Sequence, residues 1–533
     1  MKRTPAALAL ILAAVAGGWA ELCGGLLPTV SWPFTASREV PLLRCAAESC
    51  PWLAADGAFH WFGWLCMLAL AACGVYLLCR RAGAVRPSPQ RERRWRRFRG
   101  MRRGYVSLLL LLGIVVLAAL DQCLVGHRAL AVKYNGGWCF PAFTRAVVPG
   151  SRFGVQGAAG LAEADYRKLK QAAEQGAPGA PQCVVMPPVP FSPTMDAAPF
   201  PQEPLVFRDG LLHEPDGSTL YNGLACRFHL NGAMHLRQRF RNGRPDGFTQ
   251  GWMPDGTDVY AARHRDGSLL EEHYSGAGEA RDFLQATAPA DFRRVHYHPA
   301  PPLTGGHLLG TNSQGADILA YLYGGLQVNI KAALLYLPLI YAVGLTLGML
   351  MGYLGGRFDL FTQRVIEILS QLPFLFVVMV LSDLVPAELR GLVLTLGLLA
   401  AFGWMQMTYL IRTATMREKT RDFVAAARTM GAGTFYIMRR HILPNLVSII
   451  VTLVPFSTAA VILALASLDY MGFGLPETYA SWGRLLNDGL GKLSCPWVVT
   501  SAFCALVTVL LLVTFIGEAV REACDPRQHT RYE

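Results

Sequence analysis

Charge is scarce in this chain: Asp, Glu, Lys and Arg make up 16% of its 533 residues against 52% hydrophobic ones, and mean hydropathy is +0.30. An ordinary soluble enzyme carries roughly 25% charged residues, so that class is excluded first. A phosphate-cradling GxxxxGK[ST] run is missing. Its nearest approximation, Gly489-Leu490-Gly491-Lys492-Leu493, lacks both the spacing and the hydroxyl residue, which leaves the chain no visible means of hydrolysing ATP by itself. The 12 histidines and 13 cysteines show no HExxH or CxxC spacing, so no metal site is expected. Acidic residues beside histidine are nearly absent from the apolar runs, which argues against a membrane-embedded enzyme. Cys66, Cys73, Cys79 and Cys504 lie in such runs and read as small apolar side chains. Cys45, Cys50, Cys139 and Cys183 lie where an oxidising compartment would allow disulfides, with the pairing open.

What is present is long apolar sequence. A hydrocarbon core of ~30 Å takes about 20 helical residues. Eight stretches qualify or nearly so: residues 4–20, 57–79, 105–120, 328–356, 368–382 with an extension towards 385, 391–411, 446–467 and 496–516. Formal net charge is +12, and residues 80–103 alone hold eleven arginines and one glutamate. A basic cluster between two apolar runs is read as a cytoplasmic loop, not as a nucleic-acid surface. With that loop inside, the inner loops and tail hold 23 Lys and Arg and the short outer loops hold five, Arg38, Arg44, Arg390, Arg484 and Lys492. The C-terminus is therefore expected inside. The first stretch, behind Lys2 and Arg3, fits either a spanning segment or a cleavable signal peptide.

This orientation places about 200 residues, 126–325, outside. Residues 175–204 are proline-rich and read as an irregular linker. Between Asp209 and Gly267, Asn-Gly or Asp-Gly occurs eight times, the strongest short signal for tight hairpin turns. Gly223, Gly232 and Gly243 recur 24 residues later as Gly247, Gly256 and Gly267. An internal repeat of β-hairpins over residues 207–274 is predicted, and it resembles MORN-like repeats.

The most informative stretch is the inner loop between the runs at 391 and 446. Phe423, Ala426, Ala427 and Met430 fall at i, i+3, i+4 and i+7, one small-residue face on a short helix, and Gly431 suits the left-handed residue that ends it. His441-Ile442-Leu443-Pro444-Asn445 follows directly before the next apolar run. The whole string from Asp422 to Gly431, with His441, Leu443 and Pro444 at this distance, resembles the EAA loop of ABC-importer permeases. Gly310-Thr311-Asn312-Ser313-Gln314-Gly315-Ala316-Asp317 is similar to the GTDxxGRD entry of dipeptide and oligopeptide permeases. Gly352-Tyr353-Leu354-Gly355-Gly356-Arg357-Phe358-Asp359, followed by Arg364, Glu367 and Pro373, resembles their first inner loop. The strings Ser467 to Pro476 and Gly517-Glu518-Ala519-Val520-Arg521 are nearest to a peptide and microcin C branch of that family. The match departs at Ala316, Tyr321 and Gln327, where the family usually has arginine, and near Ala425, where it has glutamate or another polar residue.

The resemblance implies an all-α polytopic membrane protein with a six-helix permease core, about two extra N-terminal hydrophobic segments and a β-rich extracytoplasmic insertion. It divides the chain into an N-terminal hydrophobic extension (1–80), a basic cytoplasmic loop (81–104), a first core helix (105–125), the insertion (126–325), a transmembrane permease domain (326–520) with the EAA loop at 415–445, and a cytoplasmic tail (521–533). It further implies a bacterial inner-membrane subunit carrying peptides or peptide-like compounds, with no cofactor of its own and ATP on partner subunits. The expected partners are a second permease subunit, two ATP-binding cassette ATPase subunits, an extracytoplasmic solute-binding protein and the lipid bilayer, with no nucleic acid. A membrane-anchored scaffold or receptor binding a partner through the hairpin repeats is the alternative.

Overall fold

The computed structural model describes residues 89–120, 123–143, 148–155, 160, 163–194, 200–229, 232–253, 255–275, 292–386 and 390–524, together with 11, 12, 14, 15, 71, 72 and 75. The first two apolar stretches, apart from those few residues, and the tail from 525 lie outside the described residues. So do residues 80–88 of the basic cluster, Cys45 and Cys50. The chain forms two compact units, Met1–Asp196 with Leu319–Glu533, and Ala197–Ile318.

The first unit is helical. In chain order it holds α1 (Pro89–Gly100), α2 (Arg102–Ala119), α3 (Tyr166–Glu174), α4 (Ile318–Leu354, which begins at the boundary), α5 (Gly356–Ser370), α6 (Phe374–Leu384) and α7 (Leu392–Lys419). There follow α8 (Asp422–Thr429), α9 (Thr434–Ile437), a π turn (Met438–Ile442), α10 (Leu443–Tyr470), α11 (Trp482–Gly491) and α12 (Pro496–Cys524). Among the described residues, four helical stretches are long and apolar enough to cross a membrane, α4, α7, Thr434–Tyr470 and α12; counting each of two bent pairs as one span raises this to six.

Both bent pairs correct the sequence reading. The arginine cluster is not simply a loop: α1 runs through it and meets α2 at 89°. Phe98 is its anchor, buried with Ala519 and Ala523 of α12, while Arg93, Arg94, Trp95, Arg96 and Arg99 are exposed and Arg97 is half-buried. A helix turned through a right angle at the foot of a spanning segment keeps its guanidinium groups in water while its apolar side packs. The apolar stretch expected from 368 to 385 is likewise not one helix. It breaks after Ser370, and α5 and α6 diverge by 76°. Pro373 lacks the N–H that a continuous helix would need and becomes the N-cap of α6.

Helices α4 and α7 pack through a glycine stripe. A β-carbon on Gly344 would lie 2.9 Å from Met407 Cβ, one on Gly348 2.8 Å from Ile411 Cβ, and one on Gly352 2.6 Å from Thr415 Cβ. Two ladders with four-residue spacing therefore face each other, and only residues without side chains permit so close an approach. Higher up, Val328 and Ala332 of α4 join Val378, Leu392, Leu396, Leu399, Val461 and Leu465 in the main apolar core. Three short strands, β1 (Ala131–Tyr134), β2 (Gly137–Cys139) and β3 (Cys183–Val185), pair antiparallel in the order β2-β1-β3 beside α3. Cys139 and Cys183 are free thiols on the two outer strands.

The second unit is narrower than the 126–325 stretch and is a sheet. Strands β4 (Gln202–Pro204), β7 (Gly223–Phe228), β8 (Met234–Arg241), β9 (Arg244–Trp252), β10 (Asp258–Arg265), β11 (Ser268–Tyr274) and β12 (Arg293–Val295) lie in the order β11-β10-β9-β8-β7-β12-β4. Strands β5 (Val206–Arg208) and β6 (Leu211–His213) form a separate hairpin. The 24-residue repeat is written into the backbone. Asn242-Gly243 and Asp266-Gly267 both have positive φ at their two residues, as a type I′ turn demands, and the Gly243 and Gly267 N–H groups donate to Tyr221 and Pro245, again 24 apart.

One buried histidine makes this sheet pH-sensitive. His235 on β8 is buried, its ring 4.6 Å from that of His229, and burial with the nearby His229 and Arg227 holds its pKa down at about 4. The unfolded chain takes up this proton near ~6.5, so between those values it binds more protons than the folded one. The contribution is complete above ~6.5 and is lost as pH falls towards 4. Amide exchange in β8 of the full chain, corrected for intrinsic rates, is expected to show protection weakened by about 2 kcal/mol between pH 7 and pH 5. His235→Phe should remove that dependence.

Candidate functional site

The 415–445 loop is built as a rigid bracket. Helix α8 starts with Asp422 and carries Arg428 in its last turn, each complementing the helix dipole. It ends in a Schellman motif: Gly431 N–H donates to Arg428 C=O at 3.0 Å and Ala432 N–H to Ala427 C=O at 3.0 Å, with Gly431 at φ 82°. Nothing lies within 4 Å of a β-carbon placed there, so glycine is required by backbone conformation and not by crowding. A π turn then precedes Pro444, and Asn445 Nδ2 donates to His441 C=O at 3.0 Å.

The four-residue stripe divides between two faces. Ala427 is 2% exposed and, with Val424, packs among Tyr353, Met407, Ile411, Ala414, Ile437 and Ile442. Phe423, Ala426 and Met430 point outward, Met430 at 80% exposure. The single face expected from the sequence is thus corrected. On a two-turn helix an i, i+3, i+4, i+7 stripe is wider than the groove that receives it, and the border of burial runs between Ala426 and Ala427. His441 sits between two exposed rings, 6.3 Å from Phe423 and 5.8 Å from Tyr436. Leu443 is half-buried and Pro444 exposed. Sequence reasoning missed Phe435, 72% exposed, and Tyr436. With Phe423 and Met430 they are the large exposed apolar side chains of the loop, and two adjacent aromatics one residue beyond Gly431-Ala432-Gly433 were the available signal.

The bracket is tied to the long helices by cations. Tyr353, near the end of α4, is gripped twice: Lys419 Nζ donates to its carbonyl at 2.5 Å and Arg428 to its hydroxyl at 3.4 Å, with both cations within 5.6 Å of the ring centroid. Arg412 on α7 makes a two-pronged pair with Asp359 on α5, Nε to Oδ1 at 2.5 Å and Nη2 to Oδ2 at 2.6 Å. Such forks fix orientation as well as distance.

Away from the loop, α4, α7, α10 and the α5–α6 break line an open cavity of about 770 Å³. Aromatic Tyr336, Phe402 and Phe456 dominate its wall, with Ser370, Gln406 and Ser457 the polar groups. A mostly apolar wall with a few polar groups is the usual make-up of small-molecule sites. No sequence signal located it, because its wall comes from four segments far apart in the chain. At the opposite end of α10, buried Asp469 accepts hydrogen bonds from Leu475 N–H at 2.6 Å and from the Ser481 hydroxyl, folding the 471–481 loop back on the helix. Gln327, one of the departures noted above, donates to Ala118 C=O at 2.9 Å, so it tethers α2 to α4. Among the described residues, no group of His, Cys, Asp and Glu could hold a metal ion.

Residues 344–530, which contain the bracket and its attached helices, match the family described as binding-protein-dependent transport system inner membrane component. The chain is 29% identical over 443 residues to the inner membrane ABC transporter permease protein YejE of Escherichia coli K12, covering 83% of this chain and 99% of that protein. It is 35% identical over 252 residues to the oligopeptide transport system permease protein OppC of Lactococcus lactis subsp. lactis, covering 47% and 85%. A peptidoglycan transport system permease protein YejE from Agrobacterium fabrum is 36% identical over 233 residues, covering 43% and 60%. By the OppC match, and with the 415–445 bracket falling inside the matched stretch, the chain belongs to the family of inner membrane components of binding-protein-dependent transport systems.

Proposed function

We propose that the chain is one permease subunit of an ABC importer for peptides or peptide-like compounds, with six spanning segments in its core and the hairpin sheet outside the cell membrane. The observation that carries this reading is the exposure of Phe423, Met430, Phe435 and Tyr436 on a loop otherwise locked to Tyr353 of α4 by Lys419 and Arg428. An apolar patch on an inner loop of a membrane protein is an attachment surface. The partner that fits is an ATPase subunit, two of which would hydrolyse ATP, while a second permease closes the pathway and an external solute-binding protein delivers the cargo. Movement of the bracket would reach the cavity through Tyr353 and α4, whose Tyr336 and Ile340 line it. Phe423, Ala426, Met430 and Gly431 are the contacting residues in this reading, Ala427 holds the helix down, and His441, Leu443 and Pro444 shape the return of the chain.

The test is uptake in proteoliposomes containing this chain with its co-purified subunits. Accumulation of labelled oligopeptide should require internal ATP and the solute-binding protein outside. ATP-independent uptake, or purification of the chain without any ATPase subunit, would overturn the proposal. In intact cells, Thr434→Cys should resist a membrane-impermeant thiol reagent; labelling would reverse the orientation.

A further inference from the structure

The hairpin repeat duplicates more than its glycines. Arg239-Phe240-Arg241 on β8 recurs 24 residues later as Arg263-His264-Arg265 on β10. In each triplet the flanking arginines are exposed, and the middle residue points the other way. Strand β9 lies between β8 and β10, so the two copies set four guanidinium stems on one face, spaced ~7 Å along each strand and ~10 Å across. They border a depression of about 770 Å³ floored by Gly247. Gly247 lacks a side chain where a β-carbon would touch the Arg239 stem at 3.4 to 3.9 Å. Asp246 lines the same depression, and its carboxylate accepts from Asp266 N–H at 3.4 Å. Glu271 stands opposite Arg263 across the β10–β11 pair. Neither acid comes within salt-bridge distance of the four arginines, which make no ion pair with any described residue. Phe248, 71% exposed, stands beside them with Arg263 stacked 5.6 Å from its centroid, and exposed Leu270 joins the rim.

We propose that this face is a docking site for an acidic polypeptide segment in extended conformation. Three features select that partner. Carboxylates at alternate positions of an extended chain lie ~7 Å apart, the spacing of the arginines along a strand. A guanidinium fork matches a carboxylate in two hydrogen bonds. The exposed phenylalanine and leucine supply the apolar centre that protein contacts use and that a phosphate or a lipid headgroup does not. The site belongs to the sheet alone and stands whether or not the chain carries peptides.

The experiment uses the purified full chain in neutral detergent and a fluorescein-labelled dodecamer of glutamate, followed by anisotropy. Binding is expected at 50 mM salt and should weaken at least tenfold at 300 mM, as charge pairing requires. Arg239→Ser with Arg263→Ser should weaken it at least tenfold. Arg239→Lys with Arg263→Lys, which retains the charges and guards against a folding defect, should weaken it less than the serine pair. Arg208→Ser, on the separate hairpin, should leave it unchanged. No binding of the dodecamer, equal binding by the serine pair, or displacement of the peptide by short-chain phosphatidylglycerol at lower concentration than by unlabelled glutamate dodecamer would each overturn the proposal.

Discussion

Gly431→Asp and Ala426→Glu should each cut ATP-driven uptake at least tenfold while leaving the chain inserted at a normal level. Gly431 holds φ 82°, where any β-carbon costs about 1–2 kcal/mol, and an aspartate would add charge beside the exposed Met430. Ala426 is exposed, so glutamate there does not disturb the permease itself and acts only on what approaches the patch. Ala427→Glu is a different experiment. It drives a carboxylate in among Tyr353, Ile411 and Ile437, which costs several kcal/mol, and should lower the amount of folded protein. Pull-down of the ATPase subunit, normalised to permease level, separates the cases: Gly431→Asp and Ala426→Glu lose the partner and Ala427→Glu loses the permease. Retained association and normal uptake in the first two would refute the contact assignment.

Breaking the Asp359–Arg412 fork should be nearly as severe. The side chains are 8% and 20% exposed, so removing one partner leaves the other charge unpaired in poorly hydrated surroundings. Asp359→Asn or Arg412→Met alone is expected to cost about 3 kcal/mol, read as a lowered unfolding midpoint in detergent. The double variant Asp359→Leu/Arg412→Met should recover most of that loss, because an apolar pair of similar volume needs no charge compensation. Uptake should stay low in the double variant, since the orienting fork is gone. A double variant no more stable than either single one would show that the two residues do not act as a pair.

How far the sequence alone reached differs from element to element. The hairpin order was legible because each Asn-Gly or Asp-Gly turn specifies its own geometry, and Asn242-Gly243 and Asp266-Gly267 adopt the backbone those dipeptides favour. The end of α8 was legible for the same local reason at Gly431. Helix α1 was not, because counting arginines measures charge and carries no period; only Phe98 packing on α12 reveals which side faces in. The division of Phe423, Ala426, Ala427 and Met430 was hidden, since eight residues are too few to say which half of a stripe is buried. The break before Pro373 falls at Ser370-Gln371, two polar residues inside an otherwise apolar run, and composition does not record direction. The cavity was beyond reach, being assembled from segments that meet only in the folded chain.

The glycine ladder of α4 has a mechanical corollary. With Gly344, Gly348 and Gly352 seated on Met407, Ile411 and Thr415, the two helices share no seam that can slide without driving backbone into side chain. They behave as one beam, bolted at its inner end where Lys419 of α7 donates to the Tyr353 carbonyl of α4. Any push delivered to the bracket is therefore transmitted along the beam without slack. The compliance needed to open the cavity must reside in its other walls, at the α5–α6 elbow and along α10. A substitution that adds a methyl group to the ladder would act as a wedge between the two helices, at Gly344 against Met407, which also lines the cavity.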